Sequence, residues 1–149
     1  MTGFGSRIGE TAALLQSLAT PDIVRRVESA VDLLCRVVKE RKPLLVCGNG
    51  GSASDALHIS GELVGRFLIE RAPIDVICLN ANVSVLTAWS NDYDYASVFA
   101  RQVEAHGRAG GVLWGISTSG NSGNVVSAFE AARRLGMHTL ALTGARGGR

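Results

Sequence analysis

The chain has 149 residues, of which 46% are hydrophobic and 19% are charged, and its formal net charge is +2. This composition excludes a disordered or fibrous protein, and the length is sufficient for one compact domain with a buried core. The basic residues occur in short, interrupted clusters, so we expect neither a nucleic-acid partner nor a membrane surface.

The hydrophobic pattern alternates between helical and strand spacing along the chain. The predicted elements, in order, are helix 23–38, strand 44–47, helix 52–67, strand 74–79, helices 83–89 and 95–106, strand 111–116, helix 125–135 and strand 138–143. Gly136 is expected to end the last helix. Strands that alternate with helices in this way predict an α/β fold, a doubly wound parallel sheet flanked by helices in three layers.

The three cysteines, Cys35, Cys47 and Cys78, form no CxxC pair. An odd number of unpaired thiols does not suit a secreted disulfide framework, so we expect all three to be small buried residues. The sequence also has no apolar leader and no apolar stretch long enough to span a bilayer. We therefore expect a cytoplasmic location.

Two polar loops that contain glycine follow predicted strands, and we name them loop A (residues 48–51) and loop B (residues 117–122). Each loop precedes a helix, and such folds bind ligands where strands end and helices begin. Unpaired N–H groups and the helix dipole favour an anion there, and loop B adds several hydroxyl groups. Loop B therefore predicts a phosphate site, with the alternative that these residues only form turns and caps. Neither loop matches a P-loop or a complete dinucleotide fingerprint.

Two further pairs of polar residues are candidates for chemistry. His58 and Glu62 lie four residues apart, so they share one helix face. Glu62 is a candidate general base, and the pair is a candidate for binding a divalent metal, with an exposed polar pair as the alternative. Asn91 and Asp92 lie in a polar interruption predicted at residues 90–94, where they suit either sugar hydroxyls or a turn.

Taken together, these motifs resemble one known family. The sequences VCGNGGS at 46–52, DALH at 55–58, EL at 62–63, ND at 91–92 and GISTSGNS at 115–122 resemble the phosphoheptose isomerases, which are SIS (sugar isomerase) domain proteins. The resemblance extends from the first long helix to residue 144. It implies a cytoplasmic homotetramer that converts sedoheptulose 7-phosphate to D-glycero-D-manno-heptose 7-phosphate for bacterial heptose biosynthesis.

The resemblance also implies a role for individual residues. Glu62 would move a proton between adjacent carbons through an enediol, and in members that bind zinc His58 and Glu62 correspond to metal ligands. The residues that would bind the sugar phosphate are Asn49, Gly50, Gly51, Ser52, Asn91, Asp92, Ser117, Thr118, Ser119 and Ser122. Of these, Ser52 and the three serines of loop B would hold the phosphate.

We expect a single SIS domain over residues 1–149, with N-terminal helices at about 5–42 and the α/β core at about 43–149. The family pattern continues into a further strand and a C-terminal helix with a glutamine and a histidine, the partner acid/base and further zinc ligands. This sequence has no counterpart of that helix, so we expect a C-terminally truncated chain. Its zinc site would then lack ligands.

The alternative function is a noncatalytic SIS protein that binds sugar phosphates or acts as a scaffold. It would resemble the protein that associates with the bacterial replication initiator. That group lacks the glutamate that matches Glu62 and has an arginine where Ser119 stands. Both positions therefore favour the isomerase.

Overall fold

In the computed structural model, which describes residues 3–148, helices and strands alternate as the hydrophobic pattern predicts. The elements are α1 Phe4–Ser17, α2 Pro21–Lys39, β1 Leu44–Gly48, α3 Gly51–Val64, β2 Val76–Cys78, α4 Val83–Asp92, α5 Val98–His106, β3 Val112–Ser117, α6 Gly123–Arg134 and β4 His138–Thr143.

The four strands form one parallel sheet in the order β2-β1-β3-β4. The chain passes from β1 to β2 in one direction and then crosses back to place β3 on the other side of β1. This reversal confirms the predicted doubly wound α/β fold, and it creates a topological switch point between β1 and β3.

Strand β1 is buried on both of its faces. Leu45 and Cys47 belong to a core cluster with residues of α5 and α6, such as Phe99 and Ala128. Because successive side chains of a strand alternate between faces, Leu44 and Val46 point to the other side of the sheet, where they are equally buried. Burial on both faces is typical of a central strand of a parallel sheet, and loop A begins where this strand ends.

The chain divides into two compact units, residues up to Cys35 and residues from Arg36. In the first unit every residue of α1 is exposed, including Phe4, Ile8 and Leu15. The second unit contains the whole sheet and the helices from α3 onward. The expectation of one domain over the full chain stays a prediction. Within residues 3–148, no helix combines the length and the apolar character that a bilayer span requires.

Helix α4 is longer than the sequence pattern predicts. The predicted interruption at residues 90–94 is wrong in its first half, because α4 continues to Asp92 and includes Asn91. The amide of Tyr93 still donates to the Trp89 carbonyl at 2.9 Å, and the two rings stack with centroids 4.2 Å apart. Stacking of residues four apart extends the helix through a polar stretch that by itself favours a turn.

The cysteines are buried at two of the three positions. Burial raises the pKa of Cys47 to about 12, and burial also raises the pKa of Cys78. The prediction was wrong for Cys35, which is exposed on α2. Cysteine is a small residue that a helix tolerates on either face, so its type alone did not indicate burial.

Candidate active site

Loops A and B leave the sheet at its switch point. Loop A follows β1, loop B follows β3, and these two strands are hydrogen-bonded neighbours with Gly48 in register with Ile116. Because both strands are parallel, both loops emerge at the same edge of the sheet. The crevice between them is where doubly wound folds bind ligands.

Loop A is held in place by Asn80, which follows β2. The Asn80 side chain accepts a hydrogen bond from the Gly48 amide at 3.1 Å and donates to the Gly48 carbonyl at 2.9 Å. Gly48 has no room for a side chain, because a Cβ atom there would lie 2.5 Å from the Ser52 carbonyl oxygen. This contact lets α3 start within three residues of the end of β1, at Gly51. The predicted ligand-binding residues Gly50, Gly51 and Ser52 therefore form the turn and the first residues of α3.

The side chain of Asn49 joins loop A to the helix that follows loop B. Asn49 Nδ2 donates to Asn124 Oδ1 at 2.8 Å, and Asn124 Nδ2 donates to Asn49 Oδ1 at 2.9 Å. The hydroxyl of Tyr95 also donates to Asn49 Oδ1, at 2.8 Å. Loop A and the first turn of α6 are thus connected by a reciprocal amide pair between residues 75 positions apart in the chain.

Loop B has the organisation expected of an anion site. The hydroxyls of Ser117 and Ser122 lie 2.9 Å apart, so the side chain of Ser122 does not cap the amino end of α6. The first turn of α6 carries no acidic residue that would compete with a ligand anion. The N–H groups of Gly123 and Asn124 have no acceptor among residues 3–148, whereas those of Val125 and Val126 donate to the Ser122 carbonyl. The positive end of the helix dipole adds to the attraction of the two free N–H groups for a phosphate.

A cleft of about 720 Å³ opens beside loop B. Its lining includes Thr118, Ser119 and Asn121 of loop B and residues 144–148, among them Arg146. Gly120 has a φ of +66°, and a Cβ atom there would lie 2.4 Å from the Gly147 carbonyl oxygen. The segment after β4 therefore packs directly on loop B and brings one cationic side chain to the cleft that the hydroxyls line.

His58 and Glu62 lie on α3, where His58 Nε2 is 3.6 Å from Glu62 Oε1. Both side chains are exposed, with 74% and 41% of their surface accessible. Within residues 3–148 no hydrogen bond or ion pair joins either one to loop A or loop B. Glu62 is eleven residues beyond the first residue of α3, which corresponds to about 16 Å along the helix axis.

The predicted pair Asn91 and Asp92 lies at the end of α4, where Asn91 Nδ2 donates to Asp92 Oδ1 at 3.0 Å. Asp92 lines a second cleft, of about 510 Å³, together with Trp89 and Arg101. This cleft shares no lining residue with the cleft at loop B. The structure therefore links Asn49 to the helix that follows loop B, whereas it leaves Asp92 in different surroundings.

The residues present do not fit a complete zinc site. A zinc ion in a protein takes at least three protein ligands, and the predicted pair supplies two. Across residues 3–148 no group of three or more histidine, cysteine, aspartate or glutamate side chains is arranged to hold a metal. His58 and Glu62 would contribute two ligands, and the rest of residues 3–148 places no third ligand beside them.

Sequence reasoning missed Asn80, Tyr95, Asn124 and Arg146. A signal existed for Asn80, since it is a polar residue directly after a buried strand, at the sheet edge where ligands bind. Asn124 lies inside the first turn of a helix, where asparagine is read as a capping residue. Tyr95 and Arg146 have no local signal, because their contacts come from chain segments far away in the sequence.

Comparisons with known proteins agree with this architecture. A sequence profile of the SIS domain matches residues 9–144. The phosphoheptose isomerase of Crocosphaera subtropica is 48% identical over 134 residues, which cover 90% of this chain and 68% of that protein. The phosphoheptose isomerase of Synechocystis sp. is 51% identical over 122 residues, which cover 82% of this chain and 63% of that protein.

A solved structure gives the same result. The phosphoheptose isomerase from Neisseria gonorrhoeae superposes with a TM-score of 0.89 at 40% identity, over 96% of this chain and 74% of that one. This chain spans about two thirds of the length of the two sequence relatives. Its strand order, its two loops and these identities lead to one conclusion: the chain belongs to the phosphoheptose isomerase family of SIS-domain proteins.

Proposed function

We propose that this protein is a ketose–aldose isomerase that interconverts sedoheptulose 7-phosphate and D-glycero-D-manno-heptose 7-phosphate. The observation that carries the proposal is loop B, a hydroxyl-rich turn that opens onto an uncapped helix at the switch point. It occurs in a chain about half identical to phosphoheptose isomerases. The proposed role is a step in heptose biosynthesis in the cytoplasm.

The phosphate of the substrate would bind at loop B. Ser119, which lines the cleft, the paired hydroxyls of Ser117 and Ser122, and the first N–H groups of α6 would supply donors without any negative charge. Ser52 would contribute from the start of α3. A dianionic phosphate gains more from such donors than a neutral group, because hydrogen bonds to charged groups contribute about 1.5–3 kcal/mol each. Thr118, Asn49, Gly50 and Gly51 would line the sugar, and Asn91 and Asp92 stay predictions for the same role.

Glu62 would carry out the proton transfer. In the ketose, its carboxylate would remove a proton from C1, which is acidified by the carbonyl at C2, and the electron pair would form the C1–C2 double bond of an enediol. As the enediol forms, the carbonyl oxygen O2 takes up a proton and becomes a hydroxyl. Return of the first proton to C2, with release of the O1 hydroxyl proton to replace the one taken up at O2, gives the aldose, so the reaction consumes no net proton, oxidant or reductant. The Glu62 carboxylate is 41% exposed in the free chain, so a substrate can reach it for proton transfer.

The position of Glu62 along α3 bears on how the site is assembled. Glu62 lies about 16 Å along α3 from loop A, whereas an extended seven-carbon sugar spans about 10 Å from its phosphorus to C1. The homotetramer that the family resemblance implies offers a solution, in which α3 of one copy approaches loop B of another. We therefore propose that the substrate is bound between copies of the chain.

Zinc binding stays a prediction from the family resemblance. When bound, zinc would polarise the oxygens of the substrate. His58 and Glu62 would supply two of its ligands.

The test is exchange of carbon-bound protons of sedoheptulose 7-phosphate in deuterated water, followed by proton NMR, with added zinc and with a chelator. We expect deuterium to enter C1 and an aldose to form, while sedoheptulose without its phosphate serves as the unreactive control. Saturable binding of the phosphorylated sugar without exchange under either condition would contradict an isomerase. That outcome would favour the noncatalytic SIS protein instead.

A further inference from the structure

The orientation of the Asn124 side chain is determined by a backbone group. The amide of Val125 donates both to the Ser122 carbonyl and to one Asn124 side-chain atom, each at 3.0 Å, and a backbone N–H this close to a side-chain atom can only donate to it. That atom must therefore be the oxygen, Oδ1, and the nitrogen Nδ2 of Asn124 points toward Asn49. Asn124 is only 4% exposed, so solvent does not offer an alternative orientation.

The orientation of Asn124 in turn determines that of Asn49. Asn49 Oδ1 accepts from Asn124 Nδ2 and from the Tyr95 hydroxyl, which uses both of its lone pairs. One hydrogen of Asn49 Nδ2 is donated to Asn124 Oδ1. The second hydrogen of Nδ2 has no acceptor among residues 3–148. The half-buried Asn49 side chain therefore offers a ligand one N–H donor and no acceptor.

We propose that Asn124 is a positioning residue that, through this amide pair, makes Asn49 a donor to an acceptor oxygen of the bound sugar phosphate. The inference rests on the proposed function, since it concerns the same site at the switch point. Asn124 lies in the first turn of α6, directly after loop B, so the pair also links the phosphate-binding loop to loop A. A ligand at loop B thus meets a donor whose direction is set before binding. Preorganisation of this kind lowers the entropic cost of association.

The experiment compares Asn49→Ala, Asn124→Ala and the double variant in calorimetric titrations with sedoheptulose 7-phosphate and with inorganic phosphate. Because Asn124 acts through Asn49, each single variant should weaken sugar-phosphate binding about tenfold, and the double variant should bind no more weakly than Asn49→Ala. Weakening with both ligands places the acceptor oxygen on the phosphate, and weakening with the sugar phosphate alone places it on the sugar. Asn124→Ala that binds as tightly as the unmodified chain, or effects that add fully in the double variant, would overturn the inference.

A second readout separates positioning from a loss of stability. In ¹⁵N NMR spectra the side-chain amide of Asn49, identified by its loss in Asn49→Ala, should exchange slowly with solvent in the unmodified chain. It should exchange rapidly in Asn124→Ala. If that variant does not fold, Tyr95→Phe frees one lone pair of Asn49 Oδ1 and should weaken binding about two- to threefold. Unchanged binding in Tyr95→Phe would then count against the inference.

Failure of the proposed function has a different signature. Binding of the sugar phosphate with non-additive effects of the Asn49 and Asn124 variants, but without proton exchange, would support the positioning role and contradict the isomerase activity. Normal proton exchange and unchanged affinity in Asn124→Ala would support the isomerase activity and contradict the positioning role.

Discussion

Loop B and the exposed face of α3 are the two halves of the proposed site, and they differ in how complete they are within one chain. Loop B has its hydroxyls, a helix amino end and a cleft of about 720 Å³ around it. The face of α3 with His58 and Glu62 has a polar pair 3.6 Å apart and, within residues 3–148, no further partner. The difference teaches that the proposed phosphate half is built from strand ends and a helix amino end of one chain, whereas the proposed proton-transfer half is an exposed pair on a helix face.

The largest effect is expected for Glu62→Gln, which tests whether proton transfer on α3 can be lost while phosphate binding at loop B is kept. The amide has the same shape but cannot accept a proton, so we expect exchange to fall at least a hundredfold while the sugar phosphate binds within about twofold of the unmodified chain. Exchange by NMR and affinity by calorimetry give the two quantities. A parallel loss of affinity would contradict the separation between binding and catalysis.

Mixing two inactive chains tests whether the halves come from different copies. One chain would carry Glu62→Gln, and the other Ser119→Glu, which places a carboxylate beside the phosphate at loop B and abolishes binding by repulsion. If each site combines loop B of one copy with α3 of another, about a quarter of the sites in a random mixture are intact and exchange returns. Exchange that stays absent after the chains are unfolded and refolded together would place both halves in one copy.

A smaller effect is expected for Ser122→Ala, which removes one hydroxyl of loop B and the partner of Ser117. The loss of one hydrogen bond to a charged ligand should weaken binding of the sugar phosphate about tenfold, with the exchange rate at saturation little changed. Ser29→Ala on exposed α2 is the matched control and should leave affinity unaltered. Equal affinities for the two variants would show that loop B does not hold the phosphate.

The smallest effect is expected in the pH dependence of stability, through Cys47 in β1, the strand that precedes loop A. Because burial raises the pKa of Cys47 to about 12 from 9.0, the unfolded chain loses this proton before the folded chain does. The contribution to stability is therefore complete below pH 9 and declines as the pH rises toward 12. Urea titrations between pH 8 and pH 11 should show a steeper loss of stability in the unmodified chain than in Cys47→Ala. Parallel curves would indicate that β1 opens to solvent near loop A.

Parts of the fold and of the site were accessible from the sequence for identifiable reasons. Continuous apolar runs such as 44–47 indicated buried parallel strands, and glycine-containing turns after them indicated loops A and B, because both signals lie within a few adjacent residues. The end of α4 was not accessible in this way. The stacking of Trp89 on Tyr93 extended the helix over Asn91 and Asp92, two residues that favour turns when considered alone.

The sequence by itself determined the order of strands and helices, the two loops and the chemical type of each candidate group, because periodicity and turn chemistry are local properties. Only the tertiary structure decided that Asn80 holds Gly48, that Asn124 pairs with Asn49, and that Glu62 stands on an exposed helix face. Those relations join residues that are 32 or 75 positions apart, or depend on the direction in which a helix leaves the sheet. They arise when strands β1, β2 and β3 are placed side by side, and no short stretch of sequence contains that arrangement.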